Sequence, residues 1–458
     1  MSFHHAKRVV ECVMYISRGH GQSTWDQTST ASPSPPPDEP EEVEPSRLVY
    51  SFVSANKISF FQKKMTKRPY DVVVFGATGF TGALVVEYLR DRAPKDLRWA
   101  VAGRAKAKLE AVLRDLGVTV PVLIADSGDD VSLATLCQST NVVVSTVGPF
   151  AVYGYPLCAA CVRAGTHYCD ITGEPQFVTR VIDTLHDDAV RNKALLVNCC
   201  GFDSVPSDLG NMMMLKAAAE QFPGAKVKRV SGYHQMKGAA SGGTIGTIFT
   251  MIETMNRETA SIMKNPFAMC PGRRSDVAAP MDIPLVYYSR RLGAFNAPFV
   301  MAGINTKVVN RANSLRSSRS QYTERMGPMG LMMALVSTFA FSSMLLLLLP
   351  PVRWLAKKFV PKPGEGPSRA DRELGWFKVT LVAELDDGRS MRGMVRSRHG
   401  DPGYKETAKM LSEAAITIAL HYNDLKFRGG VLPPSVALGD LYVDRLVAAG
   451  IEFGVTNP

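Results

Sequence analysis

From about residue 70 the chain alternates two patterns. Short apolar runs rich in valine are followed by longer stretches in which apolar positions recur every three or four residues. The first run, Val72-Val73-Val74-Phe75, is short, β-branched and bounded by glycine, as expected of a strand buried on both faces. Further strands are expected over residues 97–103, 118–125, 141–148, 166–170 and 194–198. Helices are expected between them over 83–89, 105–116, from 131, and over 156–164. This alternation predicts an α/β fold with a doubly wound parallel sheet. The later chain reads differently. Residues 226–237 have strand character, and 241–263 open with glycines and continue as a helix. A hairpin is expected from 375–385 and 389–398 around Asp387-Gly388, followed by a helix over 403–420. A second α+β domain follows from this pattern, on the substrate or assembly side. It is expected over 206–325 and 353–458, after a nucleotide domain over 67–205.

The sharpest motif is Gly76-Ala77-Thr78-Gly79-Phe80-Thr81-Gly82, set between the first strand and the first helix. Glycine allows the tight turn and lets the backbone approach a pyrophosphate, while the free N–H groups of a helix start face the anion. In that context the triplet predicts a Rossmann-type dinucleotide site, even though its spacing is G-x-x-G-x-x-G. A β-branched side chain at Gly79 is expected to block the pyrophosphate and to resist a positive φ.

The second strand ends in Gly103-Arg104, where an NAD site would carry a carboxylate for the ribose. A guanidinium there can clamp a 2′-phosphate, so NADP is the expected cofactor. Asp126, at the end of the third strand, either faces the adenine edge or caps the next helix. Gly148 and Pro149 turn where the nicotinamide half would pass. Asp170, Glu174, Asp203 and Asp208 gather at later strand ends, as site residues or as helix caps; Ser207 or Asp208 could start a helix at 209.

Residues 326–352 carry no charge. Residues 331–349 would make a helix about 28 Å long, near the roughly 30 Å of a bilayer core. Arg311, Arg316, Arg319 and Arg325 precede it, and Arg353, Lys357, Lys358 and Lys362 follow. Basic residues on both flanks suit an apolar helix or hairpin that enters a membrane or lipid-droplet surface and returns to the cytosolic face. The competing reading is a buried core helix.

Composition narrows the class. At 458 residues, 46% hydrophobic and 21% charged, the chain can build two or three globular domains. The net charge of +11 comes without a block of basic and aromatic residues, which argues against nucleic acid as a partner and suits an anionic cofactor or membrane surface. Eight cysteines fall mostly in apolar patterns, and no His pair or second C-x-x-C joins Cys158 and Cys161. Buried thiols in a reducing compartment are expected, with no metal site. Residues 1–66 hold a Ser-Pro run and then an acidic run. That composition predicts disorder, and no secretory signal is evident; Met65 is a possible alternative start.

Taken together, residues 74–82, 102–104, 145–150, 168–174, 201–208, 361–367 and 429–433 resemble the saccharopine dehydrogenase-like oxidoreductases, which include lipid-droplet-associated animal members and mycobacterial trans-acting enoyl reductases. The resemblance runs from about residue 68 to the C-terminus. It implies NADP binding through Gly76, Thr78, Gly79, Phe80, Thr81 and Arg104. It also implies a lipid or acyl substrate, with enoyl reduction in glycolipid or other lipid metabolism as one form. For that chemistry the cofactor gives a hydride and an acid gives a proton. Tyr153, His167 and Tyr233 are the candidate proton donors, and spacing does not choose among them. Two other functions compete: a non-enzymatic lipid-surface protein that keeps a nucleotide-binding scaffold, and a soluble saccharopine-type amino-acid dehydrogenase.

Overall fold

The computed structural model describes residues 68–238, 242–273, 285–356 and 366–456. The expected disordered extension, Met65, Cys12, Lys357, Lys358 and Lys362 lie outside the described residues.

The first sheet contains β1 (Tyr70–Phe75), β2 (Trp99–Gly103), β3 (Val122–Ile124), β4 (Thr140–Ser145), β5 (His167–Asp170) and β6 (Leu195–Val197). All its pairings are parallel. Strand alternation divides its apolar side chains between two cores. Val72, Val74, Val142 and Val144 enter one, and Val73, Phe75, Ala100 and Val143 enter the other. Burial on both faces is why these strands read as continuous apolar runs.

Between the strands run α1 (Phe80–Arg92), α2 (Lys106–Asp115), α3 (Asp130–Ser139), α4 (Phe150–Ala164) and α5 (Pro175–Arg191), and α6 (Val205–Gln221) follows β6. Two helix starts differ from expectation. Pro156 lies inside α4 rather than at its start. Ser207 and Asp208 lie inside the first turns of α6 and are not its caps. The Asp208 carboxylate instead accepts hydrogen bonds from Ser435 N at 2.7 Å and Ser435 Oγ at 2.6 Å.

The second sheet begins with β7 (Val227–Lys237), followed by α7 (Gly242–Glu253) and α8 (Arg257–Lys264). It continues with β8 (Tyr287–Ser289) and β9 (Ala294–Ala297). After α9 (Ala302–Leu315) comes β10 (Gln321–Met329). Then α10 (Leu331–Ser343), α11 (Pro350–Ala356) and the short α12 (Arg369–Glu373) lead to the hairpin β11 (Trp376–Leu385) and β12 (Ser390–Ser397).

The chain then goes back to the first sheet. α13 (Thr407–His421) packs on α1 and on β4, and β13 (Gly430–Leu432) pairs with β6. α14 (Pro434–Ala448) and β14 (Glu452–Thr456) complete the fold. The sheet orders are β13-β6-β5-β4-β1-β2-β3 and β14-β12-β11-β7-β10-β9-β8. The expected boundary at residue 205 is therefore not a boundary of the fold. One core runs from Val72 and Val85 through Leu209 and Leu411 to Leu381 and Val395, joining both sheets.

The apolar stretch does not form one nineteen-residue helix. Met326 to Met329 belong to β10, α10 has 13 residues, and a 3-10 turn (Met344–Leu348) separates it from α11. Pro350 disfavours helical geometry at the preceding residue, and Leu349 is extended at φ −79° and ψ 120°. Among the described residues no helix is long and apolar enough to cross a membrane. The stretch is not a buried core helix either: Met332 is 75% and Phe339 77% exposed, and Leu331, Leu335 and Val336 are also exposed.

The basic flank is also not as expected. Arg311 donates to the carbonyls of Met269 and Val431, Arg316 to Ser435 Oγ, and Arg325 to the Leu285 carbonyl. Arg353 pairs with Glu253 at 3.6 Å.

Asp208→Ala would leave two buried Ser435 donors unsatisfied, at about 1–3 kcal/mol each. A denaturant midpoint lowered by that amount is expected, with the slope unchanged.

Candidate active site

The site grows from the end of β1. Gly76 has φ +99°, and a Cβ there would come 2.7 Å from Val147 Cγ2. Gly79 N donates to Gly76 O at 2.9 Å, which closes the turn. A Cβ at Gly82 would lie 2.2 Å from Gly76 O. The left-handed position is therefore Gly76 and the closest approach is at Gly82. Gly79 is extended, with φ −77°, so the expected positive φ is not found there. Gly79 is also the N-cap of α1 and offers no side-chain cap, so the first N–H groups of the helix remain open to an anion.

Thr78 is exposed and Thr81 half-buried beside this turn. The Phe80 ring turns away. It packs edge-on against Tyr404 at 5.1 Å, with the Arg372 guanidinium 5.3 Å from its centre, so only its backbone N–H faces the turn.

The other sequence candidates divide by position. Arg104 follows β2, is exposed, and makes no hydrogen bond or ion pair among the described residues. Asp126 follows β3 and does not cap α3; its Oδ1 accepts from Gly128 N at 2.9 Å, while Asp129 caps the helix. Thr146, after β4, donates through Oγ1 to Gly76 O at 3.1 Å and ties that loop to the glycine turn. Gly148 and Pro149 come next, and a Cβ at Gly148 would lie 3.9 Å from Thr247 Oγ1 of α7. The second turn of α7 thus comes close to the loop after β4. The turn, Arg104, Asp126, Gly148 and Pro149 all lie at the carboxyl edge of the first sheet, where α/β folds bind ligands.

Of the four carboxylates that end or follow β5 and β6, three are internally occupied. Asp170 accepts from Tyr168 OH, Thr172 N, Asn198 Nδ2 and Cys199 N. Burial still pushes its carboxyl up to about 6. Glu174 accepts from Phe150 N and Ala151 N, capping α4, and Asp208 holds Ser435. Asp203 differs: it stays half-buried in the loop after β6, with no hydrogen-bond partner to its carboxylate among the described residues. Burial raises it to about 6, the nearby Glu324 charge adds to this, and His234 opposes it.

The three candidate proton donors are placed apart. Tyr153 is 44% exposed on the first turns of α4, at the carboxyl edge. His167 begins β5, at the opposite edge of the sheet; its Nδ1 accepts from Leu195 N at 3.2 Å, and its ring packs tilted against Tyr422 at 4.2 Å. It is not positioned to reach a ligand at the carboxyl edge. Tyr233 and His234 are consecutive in β7 and so point to opposite faces of the second sheet. The His234 face is the one carrying Glu324 and Tyr322.

Sequence reading missed Glu324, a lone acid in a strand with no local signal. It accepts from Tyr322 OH at 2.7 Å and Asn305 Nδ2 at 2.9 Å, and lies 3.3 Å from His234 Nε2. Burial alone would raise its carboxyl, but His234, Ser207 and Tyr322 hold it below the ordinary value. The His234 ring stacks on Phe299 at 4.2 Å. Its contact with Glu324 is poorly aligned, and neither ring nitrogen has a hydrogen-bond partner. Cys137, Cys158 and Cys161 are buried free thiols, and the described residues contain no metal-binding cluster.

Residues 72–197 match the saccharopine dehydrogenase NADP binding domain. A Mycobacterium tuberculosis protein assigned as a trans-acting enoyl reductase is 38% identical over 419 residues, covering 86% of this chain and 99% of the relative. A trans-acting enoyl reductase of Mycobacterium bovis is 32% identical over 425 residues, covering 85% and 99%. The chain belongs to the saccharopine dehydrogenase-like oxidoreductases.

Among solved structures, the Saccharomyces cerevisiae saccharopine dehydrogenase (L-Glu forming) is similar at 13% identity and a TM-score of 0.46, over 84% of this chain and 100% of that one. This saccharopine dehydrogenase-like protein is an oxidoreductase, and its cofactor is NADP. The residues present fit that cofactor. Side chains at Gly76 and Gly82 would fill the cradle at the helix start, and Arg104 at the end of β2 is a cation with no partner among the described residues.

Burial lowers His167 from 6.5 to about 4, so between those values the unfolded chain binds the extra proton and stability falls as pH falls. His167→Asn keeps an acceptor for Leu195 N without titrating. Its stability should fall by about 3 kcal/mol less than that of the wild type between pH 6.5 and 4. Asp170 and Asp203 titrate in both proteins and cancel from this difference. Denaturant titration across that range is the measurement.

Proposed function

We propose that this oxidoreductase uses NADPH to reduce a carbon–carbon double bond in an acyl substrate, working at the cytosolic face of a membrane or lipid droplet. The observation that carries the cofactor reading is the Arg104 guanidinium, which has no partner among the described residues, at the end of the strand next to β1 and its glycine turn. It supplies the charge that a 2′-phosphate needs, in a fold whose curated relatives carry the name enoyl reductase. The reduced cofactor supplies a hydride when bound. The chain's own contribution is to hold the phosphates at the start of α1 and to enclose the nicotinamide end between Gly148 and α7.

The surface location is supported by α10 and α11. Met332, Met333, Val336 and Phe339 of α10, and Trp354 and Leu355 of α11, are exposed, in two short helices joined by an apolar turn. Burying large side chains of this kind in lipid stabilises the bound state by roughly 1.5–3 kcal/mol each. Helices too short to cross can lie in the interface. Because Arg311, Arg316 and Arg325 are engaged within the fold, the attraction rests on apolar burial more than on headgroup charge.

Purified protein should oxidise NADPH in the presence of 2-enoyl thioesters and bind NADPH more tightly than NADH. Arg104→Ala should narrow that preference by about 1.5–3 kcal/mol, the range of a charge-assisted hydrogen bond. Equal affinity of the wild type for the two cofactors would remove the argument from Arg104.

Wild-type protein should float with liposomes on a density gradient, and a variant carrying Met332→Gln, Val336→Gln and Phe339→Gln should stay at the bottom while still binding NADPH. A wild type that forms dimers and does not float would make the apolar face a contact between copies of this chain.

A further inference from the structure

The carboxylates at the sheet edge differ in one respect that the cofactor site does not explain. Asp170, Glu174 and Asp208 each spend their oxygens on internal donors. Asp203, half-buried between Phe202 and the start of α6, accepts from no described donor. A carboxyl that no internal donor occupies, at a sheet edge where ligands bind, is available for chemistry.

The surroundings of Asp203 suggest that use. Its Oδ2 lies 3.7 Å from where a Cβ of Gly173 would stand, in the loop after β5. The same Cβ would be 3.4 Å from Met301 Cε. The missing side chain at Gly173 leaves its place open between the carboxyl group and the Met301 methyl.

Behind Asp203 sits the His234–Glu324 pair. His234 is 1% exposed, is held against Phe299, lies 3.3 Å from Glu324, and meets hydrogen-bond geometry with none of the described residues. Glu324 is fixed by Tyr322 and Asn305, and Asn305 in turn accepts from Ser204 Oγ at 3.0 Å, on the residue next to Asp203. The charged groups that act on Asp203 are Glu324 from β10 and His234 from β7.

We propose that Asp203 is the acid that protonates the substrate carbon after hydride addition, with His234 and Glu324 as the positioning pair that sets its charge. This rests on the reductase reading above. For a double bond conjugated to a thioester, the hydride supplied by the cofactor forms a C–H bond at the β carbon. The π electrons shift to give an enolate across the α carbon and the carbonyl. The Asp203 O–H bond then breaks, a C–H bond forms at the α carbon, and the carboxylate left behind regains a proton from solvent. Near neutral pH a carboxyl is a competent donor only where its environment resists ionisation, and burial beside Glu324 supplies that condition.

The test uses the full chain with NADPH and a 2-enoyl thioester. Asp203→Asn should keep NADPH affinity within twofold of wild type, measured by cofactor fluorescence, and lose about 10²–10⁴-fold in turnover, the usual worth of a general acid. In a second measurement, 13C NMR follows the Asp203 carboxyl through a pH titration in wild type and in Glu324→Gln. Removing the Glu324 charge should move the Asp203 midpoint to lower pH, and the alkaline limb of the pH–rate profile should move with it.

Asp203→Asn with wild-type turnover overturns the proposal. So does an Asp203 carboxyl that titrates like an exposed aspartate and ignores Glu324→Gln. A wild type that consumes no NADPH with any enoyl thioester sinks the reductase reading instead, and the titration then decides separately whether Asp203 is a perturbed acid.

Discussion

The approach of α1 to the carbonyl of Gly76 is the constraint on which the rest of the site depends. A Cβ at Gly82 would stand 2.2 Å from that oxygen, closer than any packed side chain can come. Without a side chain there, the helix starts directly against the end of β1, and its open N–H groups meet the space at the carboxyl edge of the sheet. Thr146 Oγ1 donates to the same carbonyl, so the loop after β4 is set by the same atom. The opposite face of the turn is held by Phe80 against Tyr404, far along the chain. One backbone carbonyl therefore fixes the helix, the β4 loop and, through the helix start, the contact with the later half of the protein.

That later half is part of the nucleotide-binding unit. α13 covers one face of the first sheet and β13 extends its edge, so the sheet is complete only when residues beyond 400 have folded onto it. The two sheets share a core in which Leu209 and Met214 of α6 meet Leu381 and Val395 of the hairpin. Polar groups buried in this joint are paired across it: Asp208 with Ser435, Arg311 with the carbonyls of Met269 and Val431, and Asn211 with Asn313. Asp203 and His234 belong to the same joint but have no hydrogen-bond partner among the described residues, while Glu324 between them is held by Tyr322 and Asn305.

α10 and α11 are the other departure from ordinary packing. Large apolar side chains point outward along both helices, while the arginines that precede α10 in sequence turn inward to cap carbonyls. An exposed apolar face of this kind is costly in water, and it is the face on which the proposed lipid contact rests.

Much of this protein was legible in the sequence, and the reason is local. The glycine turn, the parallel strands and the hairpin around Asp387-Gly388 are set by residue types within a few positions, through φ preferences, periodicity and turn chemistry. Arg104 could be read because its place at the end of β2 follows from the motif alone. What local pattern could not decide was which distant residues meet. Nothing near residue 407 signals that a helix there covers the first sheet, and nothing in Glu324 signals His234 or Asp203. His167 and Asp170 lie in the same strand, yet only the direction of β5 puts Asp170 at the ligand edge and His167 at the opposite one. Whether a carboxylate is a cap, a structural knot or a free acid depends on the donors that tertiary packing brings to it. The edge carboxylates look alike in sequence; donors from distant segments occupy Asp170, Glu174 and Asp208, and none of the described residues offers one to Asp203.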